Sequence, residues 1–372
     1  MSRRLLATTS LWLAVLSPAS GEDKNGFHAN IVLFVQEGQD VPKGYEARLQ
    51  SLGLRAEAFF AKWMKHWGSP VERPQIFARG EGDKIKVTLV GGKVFNPGGG
   101  RAALPGIRQK AIESAGKQLS HNPRKPATWW IFYHAEGVKG FQGAGGPNGG
   151  VAINAYPDGK GIIPLDAELS SPELDAHAIK GTVHEFGHAL GLPHIGPRPA
   201  NKLGNSLMGP INRAYWRRVP GKDARVHLNE ASAAMLKSHP IFRKAPPAGR
   251  PEISSEVAVS DLKATVGKDG KSIAVSGSLK SPAAAHSVLI VDSERNKFGD
   301  YWARAYTAKL NEKGAFEVYI SEPFERGTLF VGFSFNNGTN TGGDGKSFQG
   351  GSGVTITYQK ADDGFDFESS TE

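Results

Sequence analysis

The sequence predicts a two-part molecule: an α/β (or α+β) region built on one twisted, mixed sheet, followed by an all-β sandwich. Three observations lead there. Apolar runs of strand length alternate with stretches of helical spacing up to about residue 243. A proline-rich segment, RKAPPAGRP from Arg243 to Pro251, then interrupts the pattern. Beyond it come only short alternating runs separated by turn residues.

The elements follow in order. Ala29 to Val35 (ANIVLFV) is a β-branched and aromatic run, the mark of a buried strand. From Leu49 to Trp67, Leu52, Ala56, Phe59, Phe60, Trp63 and Met64 recur at helical spacing, and Gly68 stops the helix. Lys84 to Val90 alternates as a strand. Ile107 to Leu119 reads as a helix entered after Pro105, and Trp129 to Tyr133 and Val151 to Ala155 read as strands. Between the last two, GAGGPNGG (Gly143 to Gly150) reads as a flexible loop; it leads into a strand rather than a helix and so is no phosphate cradle. Ser171-Pro172-Glu173 supplies a cap, a proline and an acid at the start of a helix running to Leu190, and Asn229 caps a last helix to Lys237.

Past the proline-rich segment, seven runs are predicted as strands: 258–266, 272–279, 287–292, 303–310, 315–320, 328–335 and 354–358. Seven short strands in roughly 100 residues suggest an immunoglobulin-like sandwich. The acidic, polar tail from Ala361 is predicted disordered.

The first residues stand apart. Arg3 and Arg4, the short apolar run Leu5 to Leu16, and Ser17-Pro18-Ala19 are the three regions of a secretory signal peptide. The expected layout is therefore a signal at 1–21, the α/β region at 22–243, a linker at 244–252, the sandwich at 253–360 and the tail at 361–372. Export places the mature chain in the periplasm or outside the cell, and no later stretch is long and apolar enough to span a membrane. An exported chain without cysteine must rely on core burial, and no thiolate is available to bind a metal. The net charge of +9 comes with no basic helix interleaved with aromatics, so nucleic acid is not an expected partner. A monomer is expected.

The chemistry concentrates in HEFGHALGLPH, His184 to His194. His184 and His188 are one helical turn apart and share a face, so both imidazoles can reach one zinc at about 2.0–2.1 Å. Glu185 can reach a water on that ion without binding it. Gly191 permits the left-handed backbone that ends a helix, Pro193 forbids its continuation, and His194 returns as a third ligand. Three histidines leave one position open, the arrangement of a catalytic rather than a structural site. Histidines that merely pack on a helix would explain neither Gly191 nor His194.

This segment resembles the extended zinc motif of the metzincin proteases, HExxHxxGxxH, and its wording is similar to that of the matrixins. The resemblance is close from Gly181 to Pro210 and loose up to about Arg243. It implies a secreted endopeptidase with one catalytic Zn2+, ligands His184, His188 and His194, and Glu185 as general base. It implies a methionine turn in Asn205-Ser206-Leu207-Met208-Gly209-Pro210, with Met208 as a base beneath the ligands. It implies a substrate-pairing edge strand at Val151 to Ala155, with Ile153 and Asn154 in contact with substrate. Pro210, Tyr215, Arg217 and Arg218 would line the pocket after the scissile bond, although a basic run from Arg198 to Arg225 also reads as a solvated face. The chain departs from the family in lacking a propeptide cysteine, and Pro210 stands where some relatives carry a tyrosine ligand. In some relatives a short N-terminal acid caps the zinc, a role open to Asp23, although a solvated terminus is the expected reading. No pattern supports calcium.

Two other classes meet part of this pattern. A zinc-holding adhesion protein would need the histidines but not Glu185. A hydrolase of a non-peptide amide would need the site but not a peptide-pairing strand. The sandwich, expected to fold separately, could bind an extracellular ligand.

Overall fold

The structure is a computed structural model describing residues 27–94, 100–122, 125–157, 161–170, 176–219, 225–245, 251–253, 256–362 and 364–371. The expected signal peptide at 1–21, Asp23, Ser171-Pro172-Glu173 and most of the expected linker lie outside these residues. Among the described residues no helix is long and apolar enough to cross a membrane.

Strands β1 (Ala29–Gln36), β2 (Val87–Gly92), β3 (Ala127–His134), β4 (Gln142–Gly146) and β5 (Gly149–Ala155) form one sheet in the order β2-β1-β3-β5-β4. All pairs are parallel except β4 with β5. The runs ANIVLFV and WWIFY are continuous rather than alternating because this sheet is covered on both faces. Val32, Phe34, Trp129 and Ile131 pack under helix α2 (Leu104–Gln118). Ile31, Leu33, Trp130 and Phe132 face the core shared with α1 (Tyr45–His66) and α3 (Ala176–Ala189). Phe186 of α3 stacks on Trp130, with centroids 4.8 Å apart, and this fixes the helix across the sheet.

Beyond α3 the chain forms β6 (Asn205–Ser206), α4 (Asn212–Arg218), β7 (Val226–His227) and α5 (Glu230–Leu236). Asn229 caps α5 as expected, its side chain accepting from the Ser232 amide at 2.8 Å.

The second region contains β8 (Ala258–Val266), β9 (Ile273–Lys280), β10 (Ala285–Ser293), β11 (Arg304–Ala308), β12 (Ala315–Ile320), β13 (Arg326–Phe335), β14 (Asn340–Gly342), β15 (Val354–Ala361) and β16 (Gly364–Thr371). A six-stranded sheet, β11-β10-β13-β15-β16 with β14 on β13, faces the three-stranded β12-β9-β8. Ile273, Val275, Phe316 and Val318 of the small sheet meet Val288, Ile290, Val331 and Ile356 of the large one. The seven expected strands are present, but β14 and β16 are additional. The tail is therefore not disordered. Phe365 and Phe367 alternate with Asp366 and Glu368, and that period of two places Phe365 against Tyr358, 5.7 Å between centroids.

The large sheet is also buried on its second face. Leu289 and Val291 of β10, with Ala303, Ala305, Phe330 and Phe348, belong to the same core as α1, α3 and α5. Val288-Leu289-Ile290-Val291 is thus a run buried on alternate sides, one side against the small sheet and the other against the α/β region. The expectation of two separately folding units is corrected on this point: cutting the chain at residue 243 would expose that apolar face.

Asp292 lies in this layer, wholly buried, with its Oδ1 accepting a 2.8 Å hydrogen bond from Tyr358 and its Oδ2 without a partner. Burial is the largest influence and pushes its carboxyl up to about 7, while the Tyr358 bond pulls the other way. The unfolded chain ionises near pH 4 and the folded one near 7, so this group lowers stability as pH rises through that window. Asp292→Asn should flatten that dependence, with the stability lost between pH 5 and 8 smaller by about 2 kcal/mol than in the parent. Equal losses in urea titrations at the two pH values would assign the pH response elsewhere.

Candidate metal centre

His184 and His188 stand on consecutive turns of α3, and the backbone turns back at Gly191, whose φ is +90°. That turn brings His194 beside them, so that ligand atoms of all three lie within 4.8 Å of one another. Each ring is oriented by a backbone carbonyl. His184 Nδ1 meets Leu207 O at 2.8 Å, His188 Nδ1 meets Leu192 O at 2.7 Å and His194 Nδ1 meets Gly299 O at 2.9 Å. A carbonyl can only accept, so each Nδ1 carries the proton and each Nε2 presents a lone pair. His188 Nε2 and His194 Nε2 then face each other at 2.9 Å, two acceptors with no proton between them. Such an arrangement is repulsive unless a cation sits among the nitrogens. Burial, more than any neighbour, holds the imidazoles below the usual range, His188 at about 4, and keeps them neutral as metal ligands must be. The three residues could hold a metal ion.

The turn that supplies Leu207 O is itself braced. A Cβ at position 187 would lie 2.6 Å from Met208 Sδ, so Gly187 leaves room for that methionine beneath the helix. Asn205 Nδ2 donates to Pro210 O at 2.8 Å and to Asn212 Oδ1 at 3.0 Å. Lys180, one turn before His184, is fully buried and donates to Gly209 O and Pro210 O at 3.2 and 2.7 Å. Burial lowers its pKa to about 7. Lys180 carried no local signal, because a lysine on a helix ordinarily faces water.

Val151 to Ala155 is not the sheet edge. It forms β5, between β3 and β4, with Ile153 in the core beneath α2 and Asn154 buried. The edge is β4, read from sequence as a loop. Its glycines are there for close approach: a Cβ on Gly143 would fall 2.2 Å from Glu185 O, and one on Gly145 would fall 2.1 Å from Ala189 O. Only bare backbone lets this strand lie against α3, and glycine's low strand propensity hid it.

The other wall comes from the second region. Gly299, Tyr301 and Trp302 belong to the connection between β10 and β11. Gly299 O orients His194, and the Tyr301 ring lies over His194 with centroids 3.8 Å apart. Gly196 N donates to Ala303 O at 2.6 Å, and a Cβ at Gly196 would meet Tyr301 O at 2.7 Å. Gln349 donates to His188 O at 2.9 Å. The second region thus helps to shape the candidate metal centre rather than hanging beside it.

That contact also absorbs part of the expected pocket. Tyr215 is buried and stacks with Trp302, centroids 6.5 Å apart. The Arg218 guanidinium lies over the same indole at 4.4 Å and 3.8 Å from Glu294, while Arg198 covers Tyr306 at 4.2 Å. These arginines dock the second region. Arg217 is exposed, and Pro210 is buried with its carbonyl committed to Lys180 and Asn205. The cation that acts on Glu185 is Arg101, more than eighty positions earlier and invisible to any motif. Burial pushes the Glu185 carboxyl up to about 7 against the opposing pull of Arg101. Gly191 is left-handed, and Met208 lies against Gly187 of α3.

No family model matches this chain, and no curated protein matches it. Among solved structures the chain is similar to OgpA from Akkermansia muciniphila. A catalytically inactive OgpA in complex with an O-glycopeptide (glycodrosocin) substrate matches with a TM-score of 0.63 at 18% identity, over 95% of this chain and 98% of that one. Wild-type OgpA in one crystal form matches with a TM-score of 0.63 at 19% identity, over 95% of this chain and 98% of that one. In a second form the TM-score is 0.62 at 19% identity, over 97% and 99%. At such identities the likeness is one of fold, and it runs through both regions of the chain.

Proposed function

We propose that this chain is an exported zinc-dependent endopeptidase, metzincin-like in its first region, that hydrolyses peptide bonds. The observation that carries this reading is the convergence of three carbonyl-oriented Nε2 lone pairs beside a buried glutamate. Three neutral imidazoles and one open position suit zinc, which when bound would supply Lewis-acid polarisation of a carbonyl and acidification of water. His184, His188 and His194 hold it, with Gly191 and Met208 supporting their geometry.

Glu185 is the proton carrier. Its carboxyl, raised to about 7 by burial, is basic enough to take a proton from attacking water and acidic enough to pass one to the leaving amine. β4 supplies an open sheet edge along which an extended peptide can pair, and this favours a peptide over a small amide. A pure binding role would leave the buried, raised Glu185 without a purpose.

OgpA was crystallised with an O-glycopeptide substrate, and a shared fold supports peptides carrying O-linked sugars as the substrate class here. The test is incubation of the zinc-loaded protein with matched peptides, bare and O-glycosylated, followed by mass spectrometry. Cleavage of the glycosylated set, abolished by a chelator, is expected. Cleavage of neither set by zinc-replete protein would remove the peptidase reading, and cleavage of bare peptides alone would remove only the sugar requirement.

A further inference from the structure

We propose that Tyr301, carried by the β-rich second region, is a catalytic residue whose hydroxyl donates a hydrogen bond to the scissile carbonyl oxygen as negative charge develops on it. This rests on the peptidase reading above and adds a group to it.

Four observations place the residue. Its ring lies 3.8 Å from that of His194 and 6.0 Å from that of His184, centroid to centroid, at 30° and 26° between planes, so it roofs two of the three ligands. It keeps 39% of its surface exposed although its ring is packed on the buried histidine cluster. Its hydroxyl has no hydrogen-bond partner among the described residues, although a half-buried phenol ordinarily finds one. Finally, its phenol is influenced electrostatically by both Glu185 and Arg101. An unengaged donor beside the histidine cluster is available to a group that substrate brings.

The loop holds this donor in place before substrate arrives. Phe298 packs edge-on against Phe330 and Phe348 at 5.3 and 5.1 Å. Asp300 accepts from Trp302 N at 3.0 Å and pairs with Arg295 at 3.4 Å. Ala303 N donates to Asp300 O at 3.0 Å, and Trp302 is clamped between Tyr215 and Arg218. A donor fixed in advance incurs no ordering cost during reaction, which is the condition under which such bonds accelerate acyl chemistry most. The proton stays on the phenol: carbon–oxygen bond formation by water and carbon–nitrogen cleavage proceed with Glu185 moving the proton, and Tyr301 only stabilises the oxyanion.

The experiment compares the parent with Tyr301→Phe and Tyr301→Ala in the full chain. It reads zinc affinity by chelator competition, KM and kcat on one peptide, and the affinity of a phosphinic peptide that mimics the tetrahedral state. Tyr301→Phe keeps the ring, so zinc affinity and KM should stay within about threefold. Removal of an oxyanion donor should lower kcat by about 10²-fold and weaken the phosphinic peptide markedly more than the substrate. Tyr301→Ala should add a loss of zinc affinity through His194. Parent-like kcat and phosphinic affinity in zinc-loaded Tyr301→Phe would overturn the proposal and leave the peptidase reading intact. So would a Tyr301→Phe protein whose only defect is weaker zinc binding, since that is a packing role. A zinc-loaded parent that cleaves no peptide would overturn both.

Discussion

Glu185→Ala is expected to lose at least about 10²–10⁴-fold in kcat/KM while holding one zinc and unfolding no more easily than the parent. The loss corresponds to about 3–5 kcal/mol of transition-state stabilisation. It is large because the same carboxyl accepts the proton from water and delivers it to the amine, two steps that one substitution removes together. Stability should be spared because burial already disfavours the charged carboxylate. Zinc analysis, thermal unfolding and peptide turnover on one preparation separate these effects. Turnover within tenfold of the parent in zinc-replete Glu185→Ala would remove Glu185 from the mechanism.

The second large effect is loss of the metal itself. Gently purified protein should carry one zinc per chain, and stripping it with a chelator should bring peptide cleavage to background, with recovery on zinc addition. His188→Ala removes a ligand outright. Changes to groups that merely orient a ligand cost about 10–100-fold in metal affinity, so this substitution should cost more. In stripped protein, His188 Nε2 and His194 Nε2 are left facing at close range, and one imidazole must turn or take a proton. The imidazole resonances should therefore shift on stripping. Full activity in protein shown by elemental analysis to hold no metal would sink the assignment.

The motif made the centre legible because every constraint in it is local. His184, Glu185 and His188 lie on one helix, Gly191 ends it, and His194 follows three residues later. Met208 was legible by its position soon after the third ligand. The buried strands were legible too, since ANIVLFV and WWIFY admit no polar face. Pattern failed at β4, whose glycines are set by the backbone of α3 rather than by strand preference. It failed again at β16, where acidic residues on one face hid the aromatic residues on the other.

By itself, then, the sequence determined the helix that carries His184 and His188, its return to His194 and the layers on either side of the proline-rich segment, because these depend on periodicity and on residues within a few turns of each other. Only the tertiary structure decided what surrounds the centre. Arg101, the Gly299–Tyr301 loop and Gln349 reach it from three other segments, Lys180 braces it from a turn up the same helix, and the longest of these separations exceed 100 residues. A hydrogen bond such as that from His194 to Gly299 leaves no periodic trace in either segment, since its partners are brought together by the burial of Leu289 and Val291 against the first region.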